Sequence, residues 1–75
     1  MADSNVLSPM TGNVIEIPVS LGQTVQEGDL LIVIESMKME NEIFSEVAGT
    51  ITAILVKEEQ NVGEENVLMT IEVDQ

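Results

Sequence analysis

Apolar and polar residues alternate along this chain in short runs, with turn-forming residues recurring about every 8–12 positions. Residues 13–19 and 50–56 form two stretches rich in β-branched side chains, and each predicts a strand. A polar bend follows each, Ser20-Leu21-Gly22-Gln23 in one case and Lys57-Glu58-Glu59-Gln60 in the other. Next come a short strand around Val25 or Val62 and a tight turn, Glu27-Gly28-Asp29 or Glu64-Glu65-Asn66. Asn66 is the residue expected to take left-handed geometry in the second turn, which lacks the glycine of the first. Apolar strands at 30–34 and 67–71 close the pattern. Pro18 cannot donate to a ladder, which puts it at an edge or a bulge. A helical stripe with spacing of three and four is absent, so the chain reads as all-β, a small sandwich or barrel.

The pattern occurs twice. Displaced by 37 positions, residues 8–35 match residues 45–72 at ten of 28 sites, among them Gly12/Gly49, Ile17/Ile54, Gln23/Gln60, Val25/Val62, Leu31/Leu68 and Ile34/Ile71. Two copies are too few for a solenoid. They imply two interlocked β motifs related by a pseudo-two-fold axis around one core. Gly12 and Gly49 each open a strand where backbone freedom is expected to be needed.

Between the copies, a two-residue turn at Met37-Lys38 would join strands 30–36 and 39–44. Ile34 would then oppose Asn41 and Ile32 oppose Ile43, on one face with Ser36 and Met39. Val33, Glu35, Glu40 and Glu42 would share the other face, with Lys38 outermost. Such loops favour Asn-Gly or Asp-Gly, because both central residues need positive φ. Met and Lys there cost roughly 1–2 kcal/mol each. Glu35 opposite Glu40 adds repulsion. Local preference overridden this plainly marks a functional site.

Composition narrows what that site does. The 75 residues make one domain, with residues 1–7 a tail or edge strand and residues 8–74 the folded unit. Two basic residues against fourteen acidic ones give a net charge of −12, which disfavours nucleic acid and anionic membrane surfaces. No apolar run approaches the length of a spanning helix, so direct membrane insertion is not expected. With no Cys and no His, the common nucleophilic dyads and zinc ligand sets are missing; neither a metal site nor catalytic residues are expected. Met1-Ala2-Asp3-Ser4-Asn5 lacks the features of a secretory signal, which points to the cytoplasm.

A plain reading of Lys38 is a solvated lysine paired with Glu35, Glu40 or Glu42, contributing about 0–1 kcal/mol. Met37 and Met39 would then be apolar filler. The junction position, the unsuitable turn residues and the apolar flanks on a wet tip favour an attachment point instead. A rigid body with a projecting amine lets a tethered group enter a partner's pocket at high effective concentration.

At these residues the chain resembles the biotinyl domain, the carrier module of biotin-dependent carboxylases, decarboxylases and transcarboxylases. Family members show Glu-Ala-Met-Lys-Met-Glu at the hairpin, and this chain has Glu35-Ser36-Met37-Lys38-Met39-Glu40. Pro9-Met10-Thr11-Gly12 is similar to the family's Pro-Met-Pro-Gly lead-in, and Gly28-Asp29 to its Gly-Asp turn. The resemblance runs from about Ser8 to Glu72. It implies a flattened antiparallel barrel or sandwich of two four-stranded sheets, of the type without a protruding thumb. It implies biotin joined to Lys38 by a biotin protein ligase, with Met37 and Met39 as flanking recognition residues. It further implies a carboxyl group carried from a biotin carboxylase site to a carboxyltransferase or decarboxylase site, with no catalysis by the carrier. A lipoyl-type carrier is a weaker fit, since Met-Lys-Met departs from the usual Asp-Lys-Ala flanks. A docking module of the same fold would be expected to have lost the lysine or its methionines, and a free-standing enzyme has little room for a pocket.

Overall fold

Each half of the duplication forms an incomplete set of strands that the other half completes. The computed structural model describes residues 3–74, so the first two residues of the 1–7 segment lie outside the described residues. Eight strands follow in order: β1 (Asp3–Leu7), β2 (Gly12–Glu16), β3 (Thr24–Val25), β4 (Leu30–Ser36), β5 (Met39–Phe44), β6 (Gly49–Ile54), β7 (Asn61–Val62) and β8 (Val67–Val73). They make two antiparallel four-stranded sheets, ordered β1-β8-β6-β3 and β5-β4-β2-β7. The sheets remain separate ladders, so the fold is a sandwich rather than a closed barrel. Among the described residues, no helix is long and apolar enough to cross a membrane.

The internal symmetry reaches individual hydrogen bonds. Asn13 pairs with Glu35 and Val14 with Ile34 in one sheet; Thr50 pairs with Glu72 and Ile51 with Ile71 in the other. Each ladder has its irregularity at the same place, between Val14 and Glu16 or between Ile51 and Ala53. The short strands are exchanged: β3 of the first copy pairs with β6 of the second, and β7 of the second with β2 of the first. The amide of Val14 donates to the carbonyl of Gln60 at 2.9 Å, and that of Ile51 to Gln23 at 2.9 Å. Buried Ser8 and Ser45 each donate a hydroxyl to a carbonyl two residues on, at Met10 and Val47, both at 2.6 Å.

Val14, Val19, Val25, Leu31, Ile32, Ile34, Ile51, Val62, Leu68, Met69 and Ile71 form the core, drawn almost evenly from both copies. Removing such side chains from water contributes roughly 1.5–3 kcal/mol each. That is how a chain this short, without disulfides, offsets its conformational entropy.

Four details differ from the sequence reading. The strands predicted over 13–19 and 50–56 end at Glu16 and Ile54, the last residues that pair with β4 and β8. Pro18 lies past the end of β2 rather than within an edge or bulge. In the second tight turn the left-handed residue is Glu65, at φ 69°, and not Asn66; Glu65 is the equivalent of Gly28, at φ 93°. Gly12 and Gly49 do not have positive φ. They are required by closeness: a Cβ on Gly12 would sit 2.5 Å from the carbonyl oxygen of Glu35, and one on Gly49 would collide with that of Glu72.

The pseudo-two-fold axis also sets the two poles of the molecule. The body measures 38 × 18 × 17 Å. The β4–β5 turn marks one pole, near the start of β2, where Asn13 pairs with Glu35. Its symmetry equivalent is the pair of outer ends of β1 and β8, where Asp3 pairs with Glu72.

Candidate functional site

Strands β4 and β5 pair in the expected register: Ile32 with Ile43, Val33 with Glu42, Ile34 with Asn41, Glu35 with Glu40 and Ser36 with Met39. Only Met37 and Lys38 remain to close the turn. Both take left-handed backbone, φ 54° and φ 66°, the geometry that matches the strand twist in a two-residue hairpin. Neither residue gains intrinsically from this conformation. The ladder below holds them there, since Ile32 and Ile34 are fully buried.

The tip is wet and apolar at once. Met37 is 92% exposed and Met39 67% exposed, on either side of exposed Lys38. Met39 shares the core-facing side of the hairpin with Asn41 and Ile43, yet it stands beyond the end of the core. Glu35 and Glu40 face each other across the ladder, both exposed, with exposed Glu42 on the same side. Val33, expected outward with these glutamates, is buried but lies outside the core cluster. Its ladder partners are Glu42 on one side and Glu16 on the other, so their aliphatic stems flank it.

Two supports went unrecognised as parts of the site in the sequence. The Asn41 amide donates to the carbonyls of Ile34 at 3.4 Å and Met39 at 3.3 Å, two long bonds that tie both arms of the hairpin at the rim of the core. Its place in the register was legible, but its bonds depend on side-chain direction. The second support is Gly12, whose missing side chain lets β2 lie against the backbone of Glu35. The duplication pointed to Gly12, though not to this contact.

Lys57, the other lysine, occupies the bend after β6, where its backbone amide donates to Gln60 Oε1 at 3.1 Å. It sits on no hairpin tip. A cavity of about 280 Å³ lies between the edge strands β1 and β5, lined by Val6, Ile43, Val47 and Ile71 among others, away from Met37, Lys38 and Met39. Glu46 is the one titratable side chain along it. No cluster of three or more Asp or Glu suited to a metal ion occurs among the described residues. The chemistry of the site is therefore that of one projecting primary amine with apolar neighbours.

Comparison with known proteins gives a consistent result. Residues 4–71 match the biotin/lipoyl family, described as "Biotin-requiring enzyme". The chain is 41% identical over 70 residues to the biotin carboxyl carrier protein of Streptococcus mutans, covering 93% of this chain and 54% of that protein. It is 45% identical over 64 residues to the biotin carboxyl carrier protein of acetyl-CoA carboxylase from Pseudomonas aeruginosa, covering 85% and 38% respectively. Among solved structures, it is similar to a single-chain, multi-domain long-chain acyl-CoA carboxylase, with TM-score 0.91 and 25% identity, over 97% of this chain and 7% of that one. It is also similar to the urea carboxylase of Kluyveromyces lactis, with TM-score 0.89 and 26% identity, over 96% and 6%. The chain thus spans about half the length of the streptococcal relative and a small part of each carboxylase.

Proposed function

The chain belongs to the family of biotin-requiring enzymes, and from that premise we propose that it is a biotin carboxyl carrier with Lys38 as its attachment residue. One observation supports the assignment most: Lys38 occupies a two-residue turn with both central residues at positive φ, at one pole of a 38 Å body. An enclosing enzyme reaches such an amine from all sides without disturbing the core. The residues fit the group, since a biotin acyl chain needs a free primary amine and no pocket at the point of attachment.

A biotin protein ligase removes a proton from the Lys38 ammonium. The freed Nζ attacks the acyl carbon of a carboxyl group activated at the expense of ATP, forming an amide as the activating phosphate-bearing group leaves. Met37 and Met39 provide apolar contact surface for that ligase. When bound, biotin supplies a ring nitrogen that takes up and releases a carboxyl group. The chain holds the tether while it moves between a biotin carboxylase site and a carboxyltransferase or decarboxylase site, and performs no catalysis. Residues 8–74 constitute the carrier domain, onto which β1 pairs through β8. We assign it to the cytoplasm, where ATP for ligation is at hand.

Incubation with a biotin protein ligase, ATP and biotin, followed by intact mass and peptide mapping, tests the proposal. One biotin on the peptide containing Lys38 is expected. A folded sample left unmodified beside an active ligase control overturns it.

A further inference from the structure

The proposed function uses the methionines at the tip only as apolar surface, although they are also the most exposed thioethers among the described residues. The chain has no cysteine, so its thioethers are the only sulfur it offers to a peroxide. Their environments differ sharply. Met37 and Met39 are 92% and 67% exposed, Met10 is half-buried against the core, and Met69 is fully buried. The two open sulfurs are the immediate neighbours of Lys38 in sequence, and the turn backbone keeps all three residues at one end of the molecule.

We propose that Met37 and Met39 form an oxidation-sensitive modification site that controls whether Lys38 is accepted by its ligase. The inference rests on the carrier reading above. A sulfur lone pair attacks one oxygen of a hydroperoxide; an S–O bond forms as the O–O bond breaks. The thioether is oxidised to a sulfoxide, and the peroxide is reduced to water or an alcohol, which takes the peroxide's own proton. Reversal requires a sulfoxide reductase and a dithiol, which becomes a disulfide as water is released. Sulfoxide formation turns an apolar, flexible side chain into a polar, chiral one at the surface the ligase must enclose. The body is unaffected, because neither side chain belongs to the core cluster.

The test compares the intact protein with itself before and after hydrogen peroxide. Peptide mapping should show sulfoxide at Met37 and Met39 before Met69, each oxygen adding about 16 Da. The thermal midpoint should stay unchanged at that stage. Labelling of Lys38 should fall about tenfold, the factor expected when a sulfoxide forfeits roughly half the transfer free energy of a methionine buried by the ligase. Treatment with methionine sulfoxide reductases and dithiothreitol should restore it. In Met37→Leu/Met39→Leu, whatever its starting rate, labelling should not respond to peroxide. Equal labelling of protein fully converted at both positions overturns the inference, as does a loss that reductases leave in place. Untreated protein that takes no biotin at Lys38 would instead overturn the carrier assignment itself.

Discussion

Replacing Gly49 with alanine should be among the most damaging one-carbon changes available in this molecule. The added Cβ would collide with the carbonyl oxygen of Glu72 and lie 2.8 Å from Ile71 Cγ2 and 2.9 Å from the carbonyl carbon of Glu72. Two of those three atoms are backbone in β8, which is held on both sides by β1 and β6, so relief requires a strand to move. At Gly12 the equivalent contacts are 2.5 Å to Glu35 O, 2.7 Å to Ile34 Cγ2 and 3.2 Å to Glu35 C, looser at both backbone atoms and about the same at the isoleucine. Overpacking of this kind costs about 1–3 kcal/mol, with Gly49 at or above the upper end and Gly12 near the middle. For a domain of this size each kcal/mol lowers the melting temperature by roughly 4–8 °C. Gly49→Ala should therefore lose at least about 12 °C and Gly12→Ala about 8–16 °C. Gly63→Ala is the control: its nearest neighbour would be Asn66 Oδ1 at 3.5 Å and its φ is not left-handed, so its effect should stay within about 1 kcal/mol. Thermal unfolding followed by circular dichroism, with urea midpoints as a second measure, decides the matter. If Gly49→Ala melts within a few degrees of Gly63→Ala, close strand approach is not why glycine stands there.

Lys38→Arg should fold as the parent does and accept no biotin; label found on Lys57 in this variant would refute the site assignment. Glu65→Gly should raise stability by up to about 1 kcal/mol, since glycine takes the left-handed turn without strain, whereas Asn66→Gly should give no gain. Denaturant midpoints in the reverse order would place the strain elsewhere. Ser8→Ala and Ser45→Ala should each cost about 0.5–1.5 kcal/mol by removing a hydroxyl that is itself buried and bonded to a part-buried carbonyl. Because the two sites are equivalent, a costly change at one with a neutral change at the other would count against the symmetry.

The hairpin was legible in the sequence down to its register, because a two-residue turn between runs of alternating polarity leaves a single pairing that buries Ile32 and Ile34 together. The left-handed backbone of Met37 and Lys38 followed from the same arithmetic. Pairing between the copies was harder to read. The exchange of β3 and β7 depends on how the symmetry axis lies, and composition alone extends β2 and β6 past their ends at Glu16 and Ile54, to residues 19 and 56. Side-chain chemistry misplaced the strain in the second turn. Asparagine is the better left-handed residue, yet the offset from Gly28 assigns that backbone to Glu65, and the cross-copy bond from its amide to the carbonyl of Ser8, 2.7 Å, holds it there. Val33 was read outward by alternation and does point away from the core, but neighbouring stems shield it from water.

The placement of the hairpin turn opposite the outer ends of β1 and β8 has a mechanical consequence. Any polypeptide joined beyond residue 3 or residue 74 pulls on the pole farthest from Lys38, and its bulk casts no steric shadow over the amine. A pivot there converts the sandwich into a stiff lever, so small rotations of a linker sweep the lysine along an arc whose radius approaches the 38 Å length of the body. Sites separated by tens of ångströms thus come within range of a side-chain arm that is itself much shorter, and the interlocked halves keep the lever from bending between its two ends.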